Sequence, residues 1–294
     1  GDAAGDFEQV AIDAWSYDGN VYGLPYSIEN IALVRNTDLA PEAPATWDEL
    51  VAAGTAAGTE YPFLVGLDPA AGDPYHLYPF QTSFGAPVFG QNADGSYNAA
   101  DLQIGNAGGD AFASWLATQG AAGILNPNID GDLARENFNA GKSPFFLTGP
   151  WNVPSAQEAG INVSVDAIPS AGGQPAQPFV GVQGFFLSAK SANVVAATNF
   201  LINYVGSEAV QTALYEVGGR APALSAAFDA AVASDPIVAG FGSVGAEAVP
   251  MPSIPQMGSV WEFWGVTELA IIKGEGDPAT LWQKMSSDIA NAIG

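Results

Sequence analysis

Several aromatic residues sit near glycine or proline, and four of them could offer a binding face. They are Tyr75 in Asp73-Pro74-Tyr75, Trp151 in Thr148-Gly149-Pro150-Trp151, and Trp261 and Trp264, which follow Ile254-Pro255-Gln256-Met257. Gly and Pro mark turns, and loops at a surface carry binding groups. A flat ring held there suits a ligand with a flat apolar face. A pyranose is such a ligand: its C–H face packs on the aromatic while its hydroxyls bond carboxylates and amides at the rim. The alternative for each ring is closure of a hydrophobic core. Glu29, in Ser27-Ile28-Glu29-Asn30, is either a rim acceptor or an ordinary solvated acid. His76 stands beside Tyr75 and either touches the same ligand or is structural. Asn126-Pro127-Asn128-Ile129-Asp130-Gly131-Asp132 imitates the start of a calcium loop, but Pro127 is second and Asn137 twelfth. A turn that starts a helix is the better reading.

The surrounding chemistry narrows the partner. The chain has 294 residues, with 31 Asp and Glu against 7 Lys and Arg and a formal charge of −24. So few cations cannot build the basic stripe that a phosphate backbone requires, which excludes nucleic acid. An anionic membrane surface and acidic substrates are repelled by the same field, leaving a neutral or cationic partner. Cysteine is absent and histidine occurs once, which removes disulfides, thiol catalysis, zinc–thiolate sites and most His-based chemistry. No cofactor is expected. No apolar run reaches the roughly 18 residues of a membrane span. The opening Gly1-Asp2-Ala3-Ala4-Gly5-Asp6 has neither the basic nor the apolar region of a signal peptide.

The elements that must hold these groups are mixed. The Tyr17-Asp18-Gly19-Asn20 turn between aromatic flanks predicts a hairpin, and Ile31-Ala32-Leu33-Val34 a buried strand. Thr46 with Glu49 forms a capping box ahead of a helix carrying Trp47, Leu50 and Val51. Strands are expected over 61–66, 143–147, 163–167 and 180–187. Helices are expected over 107–119, 131–139, 191–205, 207–217 (with Ser207 as cap), 257–273 and 278–292. The stretch 68–98 reads as turns rich in Gly, Pro and aromatics, ending in Asn92-Ala93-Asp94-Gly95. Strands and helices interspersed in this way indicate an α/β protein, and the length suits roughly two domains.

Several landmarks fall in one order. Tyr22-Gly23-Leu24-Pro25-Tyr26-Ser27-Ile28-Glu29, Arg35-Asn36-Thr37-Asp38-Leu39 and Pro44-Ala45-Thr46-Trp47-Asp48-Glu49-Leu50 come first. Asp73-Pro74-Tyr75, Phe138-Asn139-Ala140-Gly141-Lys142, Gly149-Pro150-Trp151, Pro178-Phe179-Val180-Gly181-Val182 and Pro252-Ser253-Ile254-Pro255-Gln256-Met257 follow. The ordered set, from about residue 10 to the C-terminus, resembles the maltose/maltodextrin-binding proteins, the extracytoplasmic receptors of bacterial ABC sugar importers.

The resemblance implies a two-lobe periplasmic-binding-protein-like fold with mixed sheets, a central cleft and hinge closure. It implies no catalysis and no cofactor. Glu29 resembles the family's crossing-strand carboxylate that bonds sugar hydroxyls. Tyr75, Trp151 and Trp261 look like its aromatic platforms, and Asp73 takes the place of a ligand-contacting acid. This chain has Gly131 and Gly265 where the family can have a tyrosine and an arginine; Glu262 and Trp264 flank the last platform instead. Family members also begin with a segment that supplies the first strands and helices of lobe one. The expectation is therefore an incomplete first lobe, 1–28 and 183–234, and a nearly complete second, 31–178 and 237–294. Crossings are expected near 27–31, 179–183 and 234–237. A companion chain is one source of the remainder.

The implied partners are a neutral oligosaccharide and the permease subunits of an importer, in the periplasm or lipid-anchored outside a bacterial membrane. Two alternatives stand. A glycoside hydrolase also uses aromatic platforms and acids, and would need two carboxylates facing one bond. A truncated or engineered fragment would bind sugar weakly or not at all.

Overall fold

In the computed structural model, which describes residues 2–17, 20–93 and 95–294, the chain divides into two units. The first comprises residues 1–31, 149–154 and 179–251; the second comprises 32–148, 155–178 and 252–294. Each is mixed α/β.

The second unit is built on a three-stranded antiparallel sheet in the order Phe145–Thr148, Ala32–Asn36, Val163–Asp166. The central strand is buried at every position, with apolar Ala32, Leu33 and Val34 leading into Arg35 and Asn36. Its one cation, Arg35, is only 7% exposed and fully engaged. Nε and one Nη donate to the two Asp166 oxygens at 2.8 and 3.2 Å, and the other Nη donates to the carbonyls of Ala40 and Pro41 at 2.8 and 2.7 Å. The helix Trp47–Ala56 begins with the expected capping box between Thr46 and Glu49. Its Trp47 packs edge-on against Phe63, Phe80 and Trp115, with centroids about 5 Å apart. The helices Met257–Ile272 and Pro278–Ile293 complete this unit with Ala107–Ala121.

The first unit holds a four-stranded sheet in the order Ala221–Pro222, Gly23–Glu29, Phe179–Phe186, Val249–Pro250. Its two long strands pair antiparallel along their length, with an irregularity between Pro25 and Ser27. The short outer strands meet them only at Ser27 and Ile28 on one side and Phe179 and Val180 on the other. Among the described residues the far end of the ribbon therefore pairs with no third strand, and Phe185 and Phe186 are exposed there. Phe7, Ala11, Ala223, Leu224 and Ala227 form a small core against Leu24, Ile28 and Val182.

Several elements differ from the sequence expectation. Residues 61–66 form no strand; Leu64 makes one bridge to Phe146. The stretch 68–98 contains the helix Pro74–Ser83 and a hairpin of Phe89–Gln91 with Tyr97–Leu102. Pro74 stands in the first helical turn, where no N–H is needed, so it starts a helix inside the stretch read as turns. Helices Ser225–Ser234 and Pro236–Gly245 were not anticipated. The second of these buries Val238, Phe241 and Val244, and Val249–Pro250 pairs with Phe179–Phe186. Residues 237–251 thus belong to the first unit and not, as expected, to the second lobe. Ser207 does not cap through its side chain, because its hydroxyl donates to the Tyr204 carbonyl at 2.7 Å. The early hairpin is present, with Ser16 opposite Val21 and Tyr17 opposite Asn20; Asp18 and Gly19 of its turn lie outside the described residues, as does Asp94 of the later turn.

Candidate functional site

The expected site residues fall into two clusters, one on each unit. In the first unit, Glu29 closes the strand Gly23–Glu29 and its side chain is 11% exposed. Its Oε1 accepts from Gln183 Nε2 at 2.8 Å and its Oε2 accepts from Arg220 Nε. Gln183 belongs to the paired strand, with Ile28 opposite Val182 fixing the register. Arg220 follows Gly219, which ends the helix Glu208–Gly218 in the left-handed conformation at φ 70°. A side chain there would be strained, so the glycine lets the chain reverse and deliver Arg220 to Glu29. The Arg220 guanidinium lies over the Trp151 ring, 5.7 Å from its centroid. Trp151 sits in a short 3-10 turn, Pro150–Asn152, with its indole against Gly149, where any Cβ would overlap the ring. Beside this group opens a cavity of about 490 Å³ lined by Glu29, Asn30, Pro150, Val180 and Gly219 among others. That volume lies within the range of small-ligand pockets.

In the second unit, Asp73 caps the helix Pro74–Ser83. One oxygen accepts from the His76 backbone at 3.0 Å, and the other lies 2.7 Å from His76 Nδ1. Tyr75 is half-buried and meets the His76 ring edge-on. Trp261, Glu262 and Trp264 lie in the helix Met257–Ile272, which answers to the helix expected over 257–273. Trp261 is 36% exposed and stacks on Trp264 at 5.3 Å. Trp264 itself is fully buried, edge-on to Tyr78 at 5.6 Å, and its Nε1 donates to Gln81 Oε1 at 3.0 Å. Trp264, expected to flank the platform, lies behind Trp261 as its support. Glu262 is exposed. Gly265 has its α-carbon against the Ala71 carbonyl, which brings the helix close to the Asp73 corner.

Three participants were missed from sequence. Gln183 and Arg220 had no local signal beyond a lone arginine after two glycines. Glu268 is fully buried, one helical turn after Trp264. Burial, with the Asp73 carboxylate nearby, pushes its pKa well above the usual glutamate range. Its place one turn after Trp264 on an apolar stripe was the available signal. The calcium-loop imitation is a helix start: Asp130 Oδ1 accepts from Leu133 N at 2.9 Å and Asn126 Oδ1 from Asn128 N at 3.0 Å.

The profile of the bacterial extracellular solute-binding proteins matches residues 2–240. The chain belongs to that family. Its members are solute-binding proteins outside the cytoplasm, not enzymes, which sets the hydrolase alternative aside. Among curated relatives of this solute-binding chain, the galactooligosaccharide-binding protein of Bacillus subtilis is 28% identical, over 92% of this chain and 66% of its own length. The maltodextrin-binding protein MdxE of the same organism is also 28% identical, over 98% and 68%. The chain thus spans about two thirds of the length of these relatives. The maltotriose-binding protein of Thermus thermophilus, solved with maltotriose bound, is 30% identical with a TM-score of 0.88, over all of this chain and 78% of that one. The match gives the chain the α/β fold of the two-lobe solute-binding proteins.

Proposed function

We propose that this solute-binding protein takes a neutral oligosaccharide of maltodextrin type and delivers it to the permease of an ABC importer. The observation that carries the reading is the Trp151 cluster: a partly exposed indole with a carboxylate, an amide and a guanidinium fixed around it. A pyranose asks for that combination, an apolar face against a ring with hydrogen-bonding groups at the rim. Trp261, Tyr75, Asp73 and Glu262 offer the same chemistry on the second unit. Trp264 contributes by holding Trp261 in place. The relatives support the ligand class, since those described bind galactooligosaccharide, maltodextrin or maltotriose. The exposed Phe185, Phe186 and Val195 of the first unit support a companion chain that covers them.

Intrinsic tryptophan fluorescence, titrated with maltose, maltotriose, a galactooligosaccharide and a charged control sugar, tests the reading. Saturable change with neutral sugars alone is the expected outcome, and the sugar with the lowest Kd names the preferred class. A response to the charged control alone, or none from the folded protein, would refute it.

A further inference from the structure

The chain has only three arginines, and they spend their donors differently. Arg35 is a structural arginine, with Nε and both Nη groups bonded to Asp166 and two carbonyls. Arg135 forms a surface pair with Asp132 one helical turn away, at 2.9 Å. Arg220 is held at two points, by Nε on Glu29 and by its plane over Trp151. Among the described residues its Nη groups donate to nothing, and the side chain is 32% exposed.

A guanidinium fixed this way has lost most of its freedom, so further hydrogen bonds from it cost little ordering. Its outer edge presents parallel N–H groups, which match two acceptor oxygens side by side. Adjacent hydroxyls of a pyranose are such a pair. An anionic substituent fits less well, because Glu29 already neutralises the guanidinium and would stand close to a second negative charge.

We propose that Arg220 is a ligand-contacting residue that reads a vicinal pair of sugar hydroxyls through its Nη groups, while Glu29 and Trp151 hold it in place. This rests on the oligosaccharide reading above. If Arg220 serves only to pair with Glu29, lysine does the same work, because an ammonium keeps the charge and the ion pair. If Arg220 reads a diol, lysine fails, because it has no planar fork.

Isothermal titration of the wild-type protein and Arg220→Lys with maltotriose separates the two. Binding weakened about tenfold or more in Arg220→Lys is the expected result. Affinity within about twofold of wild type overturns the inference and leaves the oligosaccharide reading standing, whereas absence of sugar binding by wild type overturns both. A second measurement needs no variant: maltotriose carrying a single 2-deoxy or 3-deoxy unit is titrated into wild type. At least one such analogue is expected to bind about tenfold more weakly, and equal affinity for every analogue overturns the inference.

Discussion

The two aromatic clusters reach a similar surface chemistry by opposite means. Around Trp151 the support is polar: the ring borders Arg220, which is tied to Glu29, which is tied to Gln183 on the neighbouring strand. Around Trp261 the support is a core: the ring stacks on Trp264, which is fully buried between Tyr78 and Gln81. The units around them differ in the same sense. The second unit's central strand is buried throughout, while the first unit leaves Val21, Tyr22, Phe185, Phe186, Val194, Val195, Phe200 and Ile202 exposed. A platform resting on a core inherits the stability of its unit. One resting on charged hydrogen bonds keeps its geometry with little burial. Damage to the second cluster should therefore appear first in folding, and damage to the first cluster in binding.

Trp264→Ala makes the harshest test. Removing a fully buried indole leaves a cavity and strands Gln81 Oε1, so unfolding in urea is expected to become easier by about 3–5 kcal/mol. Trp261 also loses its backing, so sugar affinity falls in whatever fraction stays folded. A loss of stability under about 1 kcal/mol would break the comparison, since Trp264 would then support nothing.

Trp151→Ala should show the opposite balance. Losing the partly exposed ring is expected to weaken oligosaccharide binding by about 1–3 kcal/mol. Stability should change by less than about 1 kcal/mol, because no core rests on it. Titration calorimetry with urea melts of the same preparation reads both quantities. A variant that melts early while binding normally would place Trp151 with the core residues.

What the sequence disclosed follows the same division. The capping box at Thr46 and Glu49, the strand expected at Ile31 to Val34 and observed at Ala32–Asn36, and the helix Gly131–Asn139 are local patterns that the sequence shows. Glu29, Trp151 and Trp261 stood out by type and neighbourhood. Arg220 did not, because its meaning depends on a carboxylate 191 positions away and on a ring brought in by a third segment. Which face Trp264 takes is legible only from the phase of its helix, which puts it on the buried side with Val260 and Glu268. The helix Pro74–Ser83 was hidden by its prolines, one at the start and Pro79 inside.

Glu268 gives the finest test of the core-supported side. Its carboxyl lies on the same buried face as Trp264 and feels Asp73. Burial and that neighbour raise its pKa in the folded state, so folding favours the protonated acid. Such a group contributes stability fully below its unfolded pKa, and that contribution is lost as pH rises through the raised folded value. Glu268→Gln is nearly isosteric with the neutral acid and cannot ionise. Wild type is therefore expected to lose more stability than the variant between about pH 5 and pH 8, with a difference on the order of 1 kcal/mol. Thermal melts of both proteins across that range read the difference directly, and the other acids cancel because both chains carry them. Parallel melting curves for the two proteins would mean that water or a partner reaches Glu268, and the core beneath Trp261 would then be less closed than the contrast with Trp151 requires.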